Sequence, residues 1–154
     1  MPNSPLIGID TSFLLAHTLQ EHENHKSART LLASLLEKGQ KIALCPIVVD
    51  EFLHVVTDPK RFRKPVTMAT ALTIAETWIR SRESEYFPPS EDSALLQLKW
   101  LREYRLGRRR IHDTSIAAIY ATHGVRQILT NNVSDFETFG MFEILTMTSA
   151  IHQP

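Results

Sequence analysis

Apolar and polar positions follow two rhythms along this chain. Short apolar runs read as buried strands: Leu6-Ile7-Gly8-Ile9 leading to Asp10, Ile42-Ala43-Leu44-Cys45 behind Lys41, and the stretch from Arg126 to Thr130. Tyr86-Phe87 and Phe142 to Leu145 add two brief strands. Between the runs, apolar residues recur at helical spacing. Ala28, Leu31, Leu32, Leu35 and Leu36 mark a helix from His25, with Gly39 where a terminating glycine belongs. Val48, Phe52, Val55 and Val56 mark a helix that opens at Pro46 and stops at Asp58-Pro59. Ala71, Leu72, Ala75, Trp78 and Ile79 line one side of a helix over about Val66 to Arg80. Leu95, Leu98 and Leu101 do the same from Ser90 to about Leu106, where Gly107 should break the helix. Asp10-Thr11-Ser12 can cap a helix running to about Leu19, and Ile111 to His123 is a small, apolar helix closed by Gly124.

Strands alternating with helices predict an α/β fold, with a parallel sheet covered on both faces. In such sheets, sites gather beyond the carboxyl ends of the strands. Asp10 and the loop Asn132 to Asp135 fall at such ends.

Composition narrows the class without naming a function. The 154 residues suit one domain, expected to span 1–154, and with five glycines and no repeat there is no sign of a linker. The lone Cys45, inside an apolar run, predicts a buried thiol in a reducing compartment and no disulfide framework. Met1 to Pro5 lacks the charged start and apolar stretch of a leader. The longest apolar run, Ile42 to Val49, is too short to span a bilayer and contains Pro46, so a cytoplasmic protein with no membrane partner is expected.

Seventeen basic residues balance seventeen acidic ones, so net charge argues neither for nor against a nucleic acid. Distribution says more. Lys60-Arg61-Phe62-Arg63-Lys64 form one basic cluster; Arg102, Arg105, Arg108, Arg109 and Arg110 form another. Each could be a solvated surface. Arg108, Arg109 and Arg110, however, immediately precede Asp113 and are candidates to hold phosphates.

Four islands carry an acid at an element boundary: Ile9-Asp10-Thr11, Asp50-Glu51-Phe52, Ile111-His112-Asp113 and Asn131-Asn132-Val133-Ser134-Asp135. Each acid has a plainer reading. Asp10 could simply cap a helix, and Glu51 could be a solvated helix residue, since one of the Asp50–Glu51 pair must face outward. Asp113 could answer the positive end of a helix, and Asp135 could be a turn residue. If the islands converge, they make an all-oxygen site suited to magnesium or manganese, and with it nuclease chemistry. Phosphate loops, dinucleotide fingerprints and nucleophile elbows are absent. His17, His22 and His25 lack zinc-protease spacing and read as surface histidines, while Trp78 and Trp100 read as packing residues.

With these islands in this order, the chain resembles the PIN-domain family, in particular the VapC-like toxins of bacterial toxin–antitoxin pairs. The matching residues are Ile9-Asp10-Thr11-Ser12, Pro46 with Glu51, Ile111-His112-Asp113 leading into Ala117-Ala118, and Leu129-Thr130-Asn131-Asn132 followed by Asp135-Phe136. The resemblance runs from about Leu6 to about Leu145. It implies a compact three-layer α/β/α sandwich around a mainly parallel sheet, and RNA cleavage with Mg2+ or Mn2+. It also implies metal ligation by Asp10 and Asp113, with Glu51 completing the cluster. The family's fourth acidic position falls on Asn132, so either Asn132 or Asp135 completes the site, with one metal or two. A homodimer and a VapB-like antitoxin, its tail across the cleft, are implied as partners beside the RNA substrate. The alternative is a PIN-fold RNA-processing or RNA-binding protein without a dedicated antitoxin.

Overall fold

The computed structural model describes residues 5–147. Met1 to Ser4, which bear on the expectation of a missing leader, lie outside the described residues, as do residues 148–154. The elements run β1 (Leu6–Ile9), α1 (Thr11–Thr18), α2 (His25–Glu37), β2 (Lys41–Leu44), α3 (Pro46–Val56), α4 (Met68–Arg80), β3 (Ser84–Tyr86) and α5 (Glu91–Glu103). A 3₁₀ turn at Arg108–Arg110 leads into α6 (Ile111–Thr122), β4 (Gln127–Leu129), α7 (Val133–Glu137) and β5 (Glu143–Leu145).

The strands form one sheet in the order β3-β2-β1-β4-β5, and every pairing is parallel. Successive strand residues point to opposite faces. Ile7, Gly8 and Ile9 of β1 and Ile42, Ala43 and Leu44 of β2 are all buried, so helices cover both faces, as the alternation predicts. The chain builds outward from β1 through β2 to β3, then returns to the other flank of β1 with β4 and β5. Strand order therefore reverses between β1 and β4, and a crevice opens beyond their carboxyl ends.

Local chemistry moves several expected boundaries. Helix α4 starts at Met68 because the Thr67 hydroxyl accepts the Thr70 N–H at 3.2 Å. Val66, expected inside it, instead donates its N–H to the Val56 carbonyl. Leu72 is exposed, and Ala71 and Ala75 carry the buried stripe of α4. Leu95 and Leu98 of α5 are exposed as well. The stripe of α5 that turns inward runs through Ser93, Leu96 and Trp100, the last stacked on Phe139 at 4.4 Å between ring centroids.

Helix α5 also ends before Gly107. Leu106 N–H reaches the Leu101 carbonyl at 3.0 Å and Arg105 N–H the Arg102 carbonyl at 3.3 Å, the paired bonds of a Schellman turn. Arg105 itself takes the left-handed conformation, φ +52°, that usually falls to glycine. Brief strand β3 begins at Ser84, two residues before its expected start.

The three histidines are not simply surface residues. His17 packs edge-on against Trp78 at 5.1 Å, and burial, followed by the charges of Arg29 and His25, lowers its pKa to about 4. His25 Nδ1 lies 2.9 Å from the Ala16 carbonyl, and His22 Nδ1 accepts the Asn24 N–H. His22 and His25 tie the α1–α2 turn together. Cys45 is a buried free thiol whose pKa burial pushes up to about 11. Among the described residues no helix is long and apolar enough to cross a membrane.

Candidate active site

Asp10 is the first residue past β1, so the sheet carries it to the crevice at the strand-order reversal. It occupies the N-cap position of α1, yet its carboxylate does not cap the helix. Instead Thr130, one residue past β4, donates its hydroxyl to Asp10 Oδ2 at 2.7 Å, and Ser12 donates to the same oxygen at 3.2 Å. The two hydroxyls lie 3.3 Å apart, and each is placed by backbone, Ser12 accepting the Asn131 N–H and Thr130 the Asn132 N–H. Asp10 is only 2% exposed. Burial raises its pKa, the Thr130 and Ser12 hydroxyls oppose that, and the Asp135 charge adds to it.

Glu51 lies in the second turn of α3, a helix that starts at Pro46 directly after β2 and Cys45. Thr11, next to Asp10, donates its hydroxyl to Glu51 Oε2 at 2.9 Å. Glu51 Oε1 faces His112 Nδ1 at 3.6 Å, an ion pair when the imidazole is protonated. Of the Asp50–Glu51 pair, Asp50 is the one that faces solvent.

Asp113 is in the first turn of α6. Its pKa is raised to about 7, first by burial and then by the charges of Asp135, Asp10 and Glu51, against a smaller opposing effect of Arg110. That set of neighbours brings all four acidic islands to one place. Asp135 joins them from α7, and Arg110 reaches it twice. One guanidinium nitrogen donates to the Asp135 carbonyl at 2.6 Å, and Nε stands 3.6 Å from the carboxylate.

Three other expected residues stand apart from the cluster. Asn132 is exposed at the N-cap position of α7; its backbone N–H donates to the Thr130 hydroxyl and its carbonyl accepts the Asp135 N–H. Arg108 and Arg109 are exposed on the 3₁₀ turn, whereas Arg110 is drawn inward onto Asp135. The sequence reading gave Thr11 and Ser12 only a place in a helix cap, and gave the Thr130 hydroxyl no role. Their signal was present: hydroxyl residues stand directly after the strand-end acid Asp10 and directly after β4.

Hard carboxylate oxygens, mutually repelling and met by a single guanidinium, fit a divalent cation in donor type and charge. Among the described residues no three carboxylate, imidazole or thiol groups are already gathered into a set able to hold an ion.

A parallel α/β sheet with carboxylates converging beyond its central strands defines the structural class. The PIN domain family model matches residues 7–138, and the chain belongs to that family. It is 24% identical over 141 residues to Ribonuclease VapC24 of Mycobacterium tuberculosis, covering 90% of this chain and 94% of the relative. To Ribonuclease VapC44 of the same organism it is 26% identical over 119 residues, covering 77% and 80%. Among solved structures, M. tuberculosis VapC20, described as a sarcin-ricin loop cleaving toxin, aligns with TM-score 0.67 at 19% identity over 89% of this chain and 97% of that one. VapBC2 of Rickettsia felis, bound to a DNA fragment from its promoter, aligns with TM-score 0.65 at 18% identity over 92% and 98%. These structural likenesses carry the fold.

Proposed function

We propose that this protein is a metal-dependent endoribonuclease, the toxin of a toxin–antitoxin pair, cleaving RNA phosphodiesters at the Asp10, Glu51 and Asp113 carboxylates. One observation carries the reading: the four islands meet, Thr130 bonding Asp10, Thr11 bonding Glu51, Glu51 facing His112 beside Asp113, and Arg110 reaching Asp135. Burial and the charges of Asp135, Asp10 and Glu51 raise the pKa of Asp113 accordingly. Such a group of like charges is costly unless a cation joins it. The names of the curated relatives, both ribonucleases, support the reaction class.

Mg2+ or Mn2+ held by Asp10, Glu51 and Asp113 would offset phosphate charge and lower the pKa of a bound water. The chain's own residues do the rest. Thr130 and Ser12 aim Asp10, and Thr11 aims Glu51. Glu51 or Asp113 orients the attacking water. Asp135, rather than the exposed Asn132, adds the fourth carboxylate, and Arg110 partly neutralises it. Arg108 and Arg109 grip flanking phosphates.

The solved structures of similar fold include a toxin–antitoxin complex from Klebsiella pneumoniae, which supports a VapB-like antitoxin as partner. A homodimer as the working form is part of the same proposal. We read the chain as a single domain acting in the cytoplasm. A basic residue on the antitoxin tail suits the acidic crevice, where it pairs with the carboxylates and competes with metal. The test is to induce the chain and its D10N variant in cells and map cleaved RNA, with and without the product of any small adjacent reading frame. Cleavage that needs Asp10 and stops on co-expression is the expected result. Equal cleavage by D10N would refute the site, and cleavage indifferent to the adjacent product would refute the antitoxin.

A further inference from the structure

We propose that Tyr120 is a positioning residue for Asp10, holding the peptide group from which the Asp10 carboxylate springs. The proposal rests on the reading of Asp10 as a metal ligand. Tyr120 lies on α6, fully buried against the sheet, two helical turns from Asp113. Its hydroxyl donates to the Ile9 carbonyl at 2.6 Å and approaches the Ala43 carbonyl at 3.0 Å. A phenol has one proton, so the two carbonyls share it, the shorter contact being with Ile9.

That carbonyl belongs to the same peptide group as the Asp10 N–H. The N–H donates to the Leu129 carbonyl on β4 at 3.2 Å. The Ile9–Asp10 peptide is therefore gripped at both ends, by β4 on one side and by Tyr120 on the other. Because the group is planar, fixing both ends fixes its orientation and so narrows the direction in which the Asp10 side chain leaves the backbone. The Thr130 and Ser12 hydroxyls then meet a carboxylate that is already aimed.

Packing alone does not account for the tyrosine. Its ring fills the space over Gly8, where a Cβ would fall 2.6 Å from the ring Cδ2 atom. A phenylalanine ring would fill that space equally well. What the hydroxyl adds is a bond to the carbonyl next to Asp10 and a tie to β2. In a dry core, where no water competes, such a bond is strongly directional.

The test compares wild type, Y120F, D10N and I119V. The last trims a buried neighbour on the same helix and controls for general loss of stability. Mn2+ affinity is measured on the purified full chain by electron paramagnetic resonance, and Asp10 amide exchange on the metal-free chain by NMR. Y120F should bind Mn2+ about tenfold more weakly, as loss of a group that orients a ligand does. Asp10 amide exchange should quicken in Y120F beyond its value in I119V. If Y120F matches I119V in both measurements, the positioning role is overturned while D10N, having lost Mn2+ binding, leaves the site reading standing. If D10N binds Mn2+ as wild type does, the ligand reading falls, and the purpose assigned to Tyr120 falls with it.

Discussion

Thr130 Oγ1 and Asp10 Oδ2 lie 2.7 Å apart although 120 residues separate them in sequence, and their bond spans the ends of the two strands between which the sheet reverses. Both residues are buried, so water cannot replace the donor. Thr130→Val keeps the shape and removes the hydroxyl. It should lower stability by about 1–3 kcal/mol, as expected when a buried acceptor loses its partner. RNA cleavage should fall at least about tenfold, and Thr130→Ser should restore much of both. Thermal melts and initial cleavage rates decide; a valine variant with wild-type rate would remove Thr130 from the site.

Asp10→Asn and Asp113→Asn each delete one charge from the group of like charges. Both should abolish cleavage in magnesium, yet the metal-free proteins should melt at the wild-type temperature or slightly above it. Calorimetry without metal, beside a cleavage assay with it, separates the two effects. Variants that are inactive and also strongly destabilised would mean that these acids serve the fold first.

Asp113 also predicts a pH dependence. Its pKa is about 7 in the folded protein, against an ordinary value of 3.8, so the folded state binds a proton more readily across that interval. The metal-free protein should therefore gain stability as pH falls from about 7 toward about 4, and lose that gain as pH rises through 7. In Asp113→Asn this component should vanish. Melting temperatures from about pH 8 to about pH 5, compared between wild type and variant, check the sign. A wild-type curve parallel to that of the variant would contradict it.

The arginines should divide by role. Replacing Arg108 and Arg109 with Ala should weaken RNA binding and flatten its salt dependence by up to about 1.4 in log–log slope, the value for two phosphates on a single strand. Arg110→Ala should instead lower the stability of the metal-free protein, because Asp135 loses its guanidinium. Binding titrations over a salt series and melts of the same samples test both. Equal salt slopes for wild type and the double variant would return Arg108 and Arg109 to plain surface.

Much of the fold was legible because buried parallel strands and amphipathic helices leave different periods in the sequence. The apolar run before Asp10, Pro46 at the start of α3 and Gly124 after α6 all announced their elements. What stayed hidden depends on partners far along the chain. Period alone does not choose between neighbouring helical stripes, so Leu95 and Leu98 read as core while the inward face of α5 is set by Phe139 beneath Trp100. Arg105 in a left-handed turn has no residue-level signal, and Gly107 drew the reading away from it. The acids were visible as islands, but the hydroxyls that aim them look like ordinary cap and turn residues until β4 lies beside β1. Arg110 reads as a phosphate clamp for the same reason, since only the fold reveals Asp135 within its reach.

Placing β1 in the middle of the sheet has a consequence for synthesis. Of the described strands, β1 finds one neighbour close in sequence, β2, but its other flank waits for β4 at residues Gln127–Leu129. Asp10 cannot be oriented by Thr130, nor joined by Asp113 and Asp135, until that late segment has been translated and docked. Long-range pairing of this kind is slow to form. A chain that stops short of β4 therefore lacks the Thr130 hydroxyl that holds Asp10 and the Asp135 carboxylate beyond it.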